Sequence, residues 1–216
     1  MSEPRPIDVV ADELADGDFN VRARALGELV RRGHASTPAL LRMLGHADPE
    51  VRIRAARGLA DLVDPTAADP LAAITDDPDP RLRSYGAFGL ARLRDARALD
   101  ALVRTINDFP DVLRTPDTLA TDGLVGLGPM VLPRMGELLS SSDGDTRLRA
   151  LHVIQVVLSG GADAIDWPAR WRQLGAYDPL ADESVREPAA AQWRAWIAER
   201  AESAGAPGSD GAGVVP

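Results

Sequence analysis

The sequence predicts an all-α chain, a right-handed α-solenoid of about six helix pairs, and three observations carry that prediction. One phrase repeats: H-A-D-P-E-V-R-I-R-A-A-R-G-L-A-D-L, from His46 to Leu62, is echoed by D-P-R-L-R-S-Y-G-A-F-G-L-A-R-L from Asp79. Aligning the Leu59 position gives Leu29, Leu59, Leu90, Leu124, Ile154 and Trp193, in steps of 30, 31, 34, 30 and 39 residues. Self-similarity at such a period is the signature of stacked units that bury their apolar faces against one another. Composition agrees: 45% of residues are apolar but only 4% aromatic, so the core is built from Leu, Ala, Val and Ile.

Each unit reads as a helix A, a turn rich in Asp, Asn, Gly and Pro, and a helix B. The first A helix is expected over residues 6–15 and its B helix over 21–32, ending at Gly33, a residue suited to a left-handed stop. Thr37-Pro38 has the form of an N-cap followed by proline at the first helical position, and Asp69-Pro70 repeats it for the third unit. Residues 97–106 carry Leu99, Leu102, Val103 and Ile106 at helical spacing. The fourth unit is degenerate: its turn, N-D-F-P-D-V-L-R-T-P-D, is long, and Thr121, Asp122 and Gly123 break the Ala-Ala pattern. The fifth unit recovers, with a helix expected over 129–139 and D-G-D-T-R-L-R-A-L-H-V-I-Q-V-V-L after it.

The last unit, about 163–203, holds all four tryptophans, with Trp193 and Trp196 in leucine slots; it reads as an aromatic cap on a stack with no further neighbour. The solenoid is thus assigned to 1–203, and residues 204–216, poor in core formers, are expected to be a disordered tail.

Val51, Ala55, Leu59 and Leu62 fall on one helical face that should pack on the A helices. The turn Asp is expected to cap helix B. The Arg at the Val-Arg position of each phrase (Arg22, Arg52, Arg83, Arg147 and Arg186) is expected to reach a carboxylate in its own or the next unit, a ladder along the stack.

Charge and composition exclude several functions. The net charge is −9 and every one of the 24 basic residues is arginine. The acidic balance disfavours nucleic acid and anionic membrane as general partners. Without lysine there is no Schiff-base or P-loop lysine; without cysteine there is no disulfide, thiolate or zinc–sulfur site. No apolar leader or membrane span is apparent, so a cytoplasmic protein is expected. His34, His46 and His152 sit in different units and form no metal-spaced set, the first two reading as solvated loop residues. Gly86 and Gly89 read as helix close-packing, and G-L-V-G-L-G at 123–128 as a helix ending, because no strand precedes it. The expectation is therefore no catalytic residue, no metal and no cofactor.

The phrases D-F-N-V-R-A-R-A-L, D-P-E-V-R-I-R-A-A, D-P-R-L-R-S-Y-G-A, D-G-D-T-R-L-R-A-L and D-E-S-V-R-E-P-A-A resemble the HEAT-repeat superfamily, in particular the short bilin-lyase-like HEAT repeats. The resemblance covers nearly all of residues 7–200 and implies six HEAT-like pairs whose B helices line the inner, concave face. It also implies a scaffold or partner-binding role, a minority of such proteins being lyase or chaperone subunits for bilin-type proteins, or glycosylases that act on alkylated bases in DNA. Asp122 beside Tyr85, Phe88 and Arg149 has the acid, ring and cation that a base-holding site needs, but the constellation is incomplete.

The B-helix positions that stacking leaves free are then the candidate surface. At the Arg54 position stand Arg24, Arg54, Tyr85, Leu119, Arg149 and Pro188; at the Arg57 position Gly27, Arg57, Phe88, Asp122, His152 and Ala191; at the Asp61 position Arg31, Asp61, Arg92, Gly126, Val156 and Ala195. Arginine and aromatic residues dominate binding hot spots. Arg24, Arg54, Arg57, Tyr85, Phe88, Arg92, Asp122, Arg149 and His152 are therefore the expected partner-binding residues of a monomeric, non-enzymatic adaptor. The expected partner is an acidic protein or peptide, with Tyr85 and Phe88 either its anchor or simply packed between helices.

Overall fold

The computed structural model describes residues 5–110, 116–160 and 164–205. Among them every regular element is a helix. The chain divides into two compact units, residues 1–131 and 132–216.

The first unit holds four helix pairs. Helix α1 (Ile7–Asp12), prolonged by a 3-10 turn (Glu13–Ala15), pairs with α2 (Phe19–Arg31). Then come α3 (Thr37–Leu44) with α4 (Pro49–Leu62), α5 (Ala68–Ala73) with α6 (Pro80–Arg92), and α7 (Ala98–Arg104) with α8 (Leu119–Leu127). The second helices form one layer, α2 on α4, α4 on α6 and α6 on α8, and each also packs on the first helix of its own pair. The second unit holds α9 (Leu132–Leu138) with α10 (Gly144–Ser159), and α11 (Trp167–Gln173) with α12 (Glu183–Gly205). Among the described residues there are six helix pairs, four in the first unit and two in the second, with every regular element helical. Helix α12 runs through Ala204 and Gly205; the rest of the expected tail, 206–216, lies outside the described residues, as do 111–115 of the long fourth turn.

The repeated residues do three things. Asp18, Asp48 and Asp79 each accept the backbone N–H two residues on, at 2.7, 2.9 and 2.9 Å, and Asp143 accepts that of Thr146 at 2.8 Å. These are the N-caps read from the sequence, each satisfying a donor that the helix start leaves orphaned. The leucine row is buried throughout: Leu29, Leu59, Leu124, Ile154 and Trp193 at 0% exposure, Leu90 at 1%. Ahead of it in three pairs stands a glycine, and the A-helix leucine of the same pair fills the notch. A Cβ at Gly58, Gly89 or Gly123 would meet Leu40, Leu71 or Leu102 at 3.0, 2.8 and 2.7 Å. At Gly86 the obstacle is backbone, the Leu71 carbonyl oxygen at 2.7 Å. The close packing expected of Gly86 and Gly89 is present.

These contacts also settle the register of the degenerate fourth pair. Gly123 repeats the role of Gly58 and Gly89, and the positive-φ residues that follow the second helices of this unit, Gly33, Val63, Arg94 and Gly128, trail the leucine row at a constant offset. Helix α8 keeps the register but begins late: Leu119, at the Arg54 position, is its first residue, with Thr118 and Thr121 in a capping box.

The structure departs from expectation at two kinds of residue. Thr37 does not cap α3; its hydroxyl donates to the Asp64 carboxylate at 2.7 Å, tying one inter-pair loop to the next. Asp69 caps nothing either, since Asp64 caps the turn before α5 by accepting from the Thr66 N–H at 3.0 Å. The Val-Arg arginines bind backbone carbonyls rather than carboxylates. Arg22 donates to the Asp16 and Gly17 oxygens at 2.8 Å, Arg52 to His46 and Ala47 at 3.1 and 3.2 Å, and Arg83 to Asp77 and Pro78 at 2.9 and 3.0 Å. In the second unit Arg147 does the same with Ser141 and Ser142, at 2.8 and 3.0 Å. The physical reason is the turn: its two carbonyls face inward over the first helical turn, and a guanidinium presents paired donors within reach. Among the described residues only Arg83 adds the expected carboxylate, holding Asp108 through two bonds of 2.8 and 2.9 Å. His46 is half-buried and takes part in its turn, its Nδ1 accepting the Asp48 N–H at 3.0 Å.

In the second unit three of the tryptophans form ring contacts. The Trp193 ring lies 5.1 Å from Trp167 and edge-on to Trp196 at 5.8 Å. The Trp171 indole N–H donates to the Tyr177 carbonyl at 3.0 Å, and the buried Tyr177 hydroxyl donates to the Leu139 carbonyl at 2.6 Å.

Candidate functional site

The side of the α2–α4–α6 layer turned away from the A helices is defined by burial. Val51, Ala55, Ala56, Leu59 and their counterparts Leu82, Ala87 and Leu90 are closed off; the positions of Arg54, Arg57 and Asp61 are exposed or half-buried in all three helices. Stacking therefore leaves free the positions that the sequence pattern left free.

On α2, Arg24 and Arg31 are exposed; Arg24 turns its Nε to the Asn20 carbonyl at 3.2 Å and neither holds a carboxylate. On α4, Arg57 is exposed and holds neither carbonyl nor carboxylate. Arg54 differs. It donates to the Leu14 carbonyl at 3.1 Å and lies 3.8 Å from Glu50, so this cation braces the first pair against the second. On α6, Tyr85 and Phe88 are half-buried and Arg92 is exposed, its guanidinium 5.9 Å from the Phe88 ring centre. Burial pushes the Tyr85 phenol above its ordinary value, the nearby Arg57 cation pulls it down, and Asp61 adds to the upward shift. Arg57, Asp61 and Tyr85 thus share one electrostatic neighbourhood across α4 and α6.

The question of whether the two rings are anchors or packing has a divided answer. Both residues are half-buried, neither closed off with the core nor fully exposed. On α8, Asp122 is exposed, so the row ends in an acid.

The two remaining expected residues lie in the second unit. Arg149 is buried, with its side chain 6% exposed and its guanidinium 3.7 Å from Asp145. It is not an open cation, because spacing along a helix does not report how far neighbouring side chains close over a position. His152 is half-buried on α10. Arg31, which shares the exposed rows but was not among the expected binding residues, belongs with Arg24, Arg57 and Arg92. The signal was there in its row position.

Elsewhere in the first unit the arginines are consumed. Arg42 pairs with Asp8 and Asp12, Arg81 with Asp79 and Glu50, Arg97 with Asp95 and Asp69, and Arg5 and Arg32 share Glu28. On the exposed rows Arg24, Arg31, Arg57 and Arg92 hold no carboxylate among the described residues, whereas Arg54 has Glu50. No group of three or more His, Asp or Glu able to hold a metal occurs among the described residues, and no described helix is long and apolar enough to cross a membrane.

Residues 7–85 match a family model described as HEAT repeats. No curated protein matches the chain. Among solved structures, the chain is similar to the complex of CpcE and CpcF of phycocyanin lyase from Nostoc sp. PCC7120, at 18% identity and a TM-score of 0.49, over 94% of this chain and 96% of that one. It is similar also to an engineered protein, at 16% identity and a TM-score of 0.47, over 91% and 98% of the two chains. A designed armadillo repeat protein in complex with the peptide (KR)4 matches at 17% identity and a TM-score of 0.44, over 88% and 100%.

Proposed function

We propose that this chain, a HEAT-repeat solenoid over residues 7–85, is a non-enzymatic scaffold that holds an acidic protein or peptide segment on its inner B-helix face. The observation that carries the reading is the contrast in how its arginines are used. Arg24, Arg31, Arg57 and Arg92 stand on the stacking-free rows with no carboxylate, in a chain whose net charge is −9 and whose other first-unit arginines are mostly paired or bound to carbonyls. A folded acidic protein that keeps four guanidiniums unneutralised on one face offers anion-binding capacity there. Arginine supplies paired donors that match a carboxylate, and the half-open Tyr85 and Phe88 rings supply apolar area at little entropic cost. The partner is acidic because Asp61 and Asp122 are the only acids in these rows of the first unit, against the four open cations. The scaffold is read as a cytoplasmic monomer.

The test uses a fluorescein-labelled peptide rich in glutamate and containing one phenylalanine, read by anisotropy. Binding is expected at low salt and should weaken steeply as salt rises, since open surface charges are screened within about 10 Å at 0.1 M. Arg57→Glu combined with Arg92→Glu should weaken it at least tenfold, while Arg134→Glu, on the second unit, leaves it unchanged. No binding at low salt, or binding indifferent to the double reversal, overturns the reading.

A further inference from the structure

We infer that the inner face reads spacing, selecting an extended segment with acidic residues about three positions apart, followed at the same interval by an aromatic or large apolar residue. This rests on the proposed function above and specifies its ligand. Arg24 stands early on α2, Arg57 one helical turn further along α4, and Arg92 a further turn along α6. The open cations therefore form a diagonal with one guanidinium per helix. Arg31 lies off this diagonal, and the same row on α4 carries Asp61, which repels an acid placed beside it.

Neighbouring packed helices lie about 8–10 Å apart, and three to four residues along a helix add about 5 Å, so each diagonal step is roughly 10 Å. An extended chain rises about 3.3 Å per residue and covers such a step in about three residues. A helical ligand, rising about 1.5 Å per residue, would need about seven. The single-file line favours the strand-like form: a helix is about 10–12 Å wide and would lay its flank on Asp61 as well as on the cations.

The third station is where the aromatic preference arises. At α6 the diagonal meets the half-open Tyr85 and Phe88 rings, with Arg92 already standing over Phe88 at 5.9 Å. Arg57 lies close enough to Tyr85 to oppose the upward shift that burial imposes on its phenol, and the phenol hydroxyl makes no hydrogen bond to a described residue. A ring from the ligand can stack there while a carboxylate three residues earlier is met by Arg57 and, two steps earlier, by Arg24.

The experiment compares labelled peptides of one composition, two glutamates and one phenylalanine in a Gly/Ser background, against the full chain by anisotropy. In one peptide successive anchors are three residues apart, in a second they are adjacent, and in a third seven apart. The three-residue spacing is expected to bind at least fivefold more tightly than either alternative. Phe88→Ala with Tyr85→Ala should remove the advantage of phenylalanine over alanine in the ligand, while leaving the salt dependence. Arg24→Ala should weaken the three-spaced peptide more than the adjacent one, and as an exposed residue it does not endanger folding; circular dichroism checks the double ring variant. Equal binding of all three peptides, still lost with Arg57→Glu and Arg92→Glu, overturns the spacing and keeps the acidic-partner reading. Preference for seven-residue spacing also overturns it. Failure of every acidic peptide to bind overturns the proposed function itself.

Discussion

Two regions of the first unit use arginine in opposite ways. Along the A-to-B turns, Arg22, Arg52 and Arg83 each donate to the two carbonyls that precede the Asp cap, and Arg83 also holds Asp108. On the exposed rows, Arg57 and Arg92 make neither kind of bond to a described residue and Arg24 reaches only a carbonyl in its own helix, Arg54 being the exception that braces the first pair. At a turn the backbone itself presents acceptors that must be satisfied, so the guanidinium is recruited by the fold. On the open side of a helix every carbonyl is already bonded within the helix, and a guanidinium there is available to a partner. What separates a cation employed by the fold from one left open is thus its distance from unsatisfied backbone rather than its residue type.

The comparison breaks most visibly at Arg83. Replacing it by alanine removes the donors to Asp77 and Pro78 and both bonds to Asp108. The half-buried acceptors left behind on Asp77 and Asp108 make the expected loss about 2 kcal/mol, in line with the cost of orphaned hydrogen-bonding groups. Urea denaturation of Arg83→Ala should show that loss, with binding of the acidic peptide unchanged below the melting range. Arg57→Ala should do the reverse, weakening binding while the denaturation midpoint stays within about 0.5 kcal/mol of the parent. If both variants lose both properties, the division between turn and face is wrong.

Acid sharpens the same contrast. The Thr37 hydroxyl, then the Thr66 N–H and hydroxyl, hold the Asp64 carboxyl down at about 2, against an ordinary 3.8. The Arg97 side chain, then its N–H, hold Asp95 at about 2 as well. A depressed carboxyl contributes stability that is fully present above its unfolded pKa and disappears as pH falls through its folded one. Both loops should therefore be fully effective above about pH 5 and lose their contribution between about pH 4 and pH 2. Urea midpoints measured across that range should fall less steeply in Asp64→Ala than in the parent. Arg57→Ala, which touches neither loop, should follow the parent curve.

How much of this the sequence made legible depends on what fixes each residue. The leucine row and the Asp caps were legible because stacking and orphaned N–H groups demand particular residue types at particular offsets. The exposed rows followed from them by subtraction, which is why Arg24, Arg57, Tyr85, Phe88 and Arg92 could be named in advance. The partners of Arg22 and Arg52 were not legible: a sequence displays carboxylates as letters but does not display which backbone carbonyls a turn leaves open. Thr37 has the pattern of a cap, yet the pattern is silent on Asp64, 27 residues away, which takes its hydroxyl. Arg149 shares the row of Arg54 and is nevertheless buried, because a one-dimensional pattern carries no information about the neighbours that cover it.

The smallest effect concerns residues that no pattern flagged. The four second helices of the first unit are each followed by a residue of positive φ; two supply glycine, Gly33 at φ 66° and Gly128 at φ 79°, while Val63 at φ 53° and Arg94 at φ 57° do not. An L-residue in this region is strained by about 1–2 kcal/mol, and a β-branched one is the least suited to it. Glycine would relieve that strain but return about 0.5–1 kcal/mol through the freedom of the unfolded chain. Part of the half-buried valine surface is lost besides. Val63→Gly should therefore raise the denaturation midpoint by only about 0.5 kcal/mol, readable as a small upward shift in Tm, with the affinity for the acidic peptide unaltered. A fall in Tm would mean that Val63 is kept for its packing against the adjoining pair, and that the repeat ends, like the turns, recruit side chains for the fold before any are left for a partner.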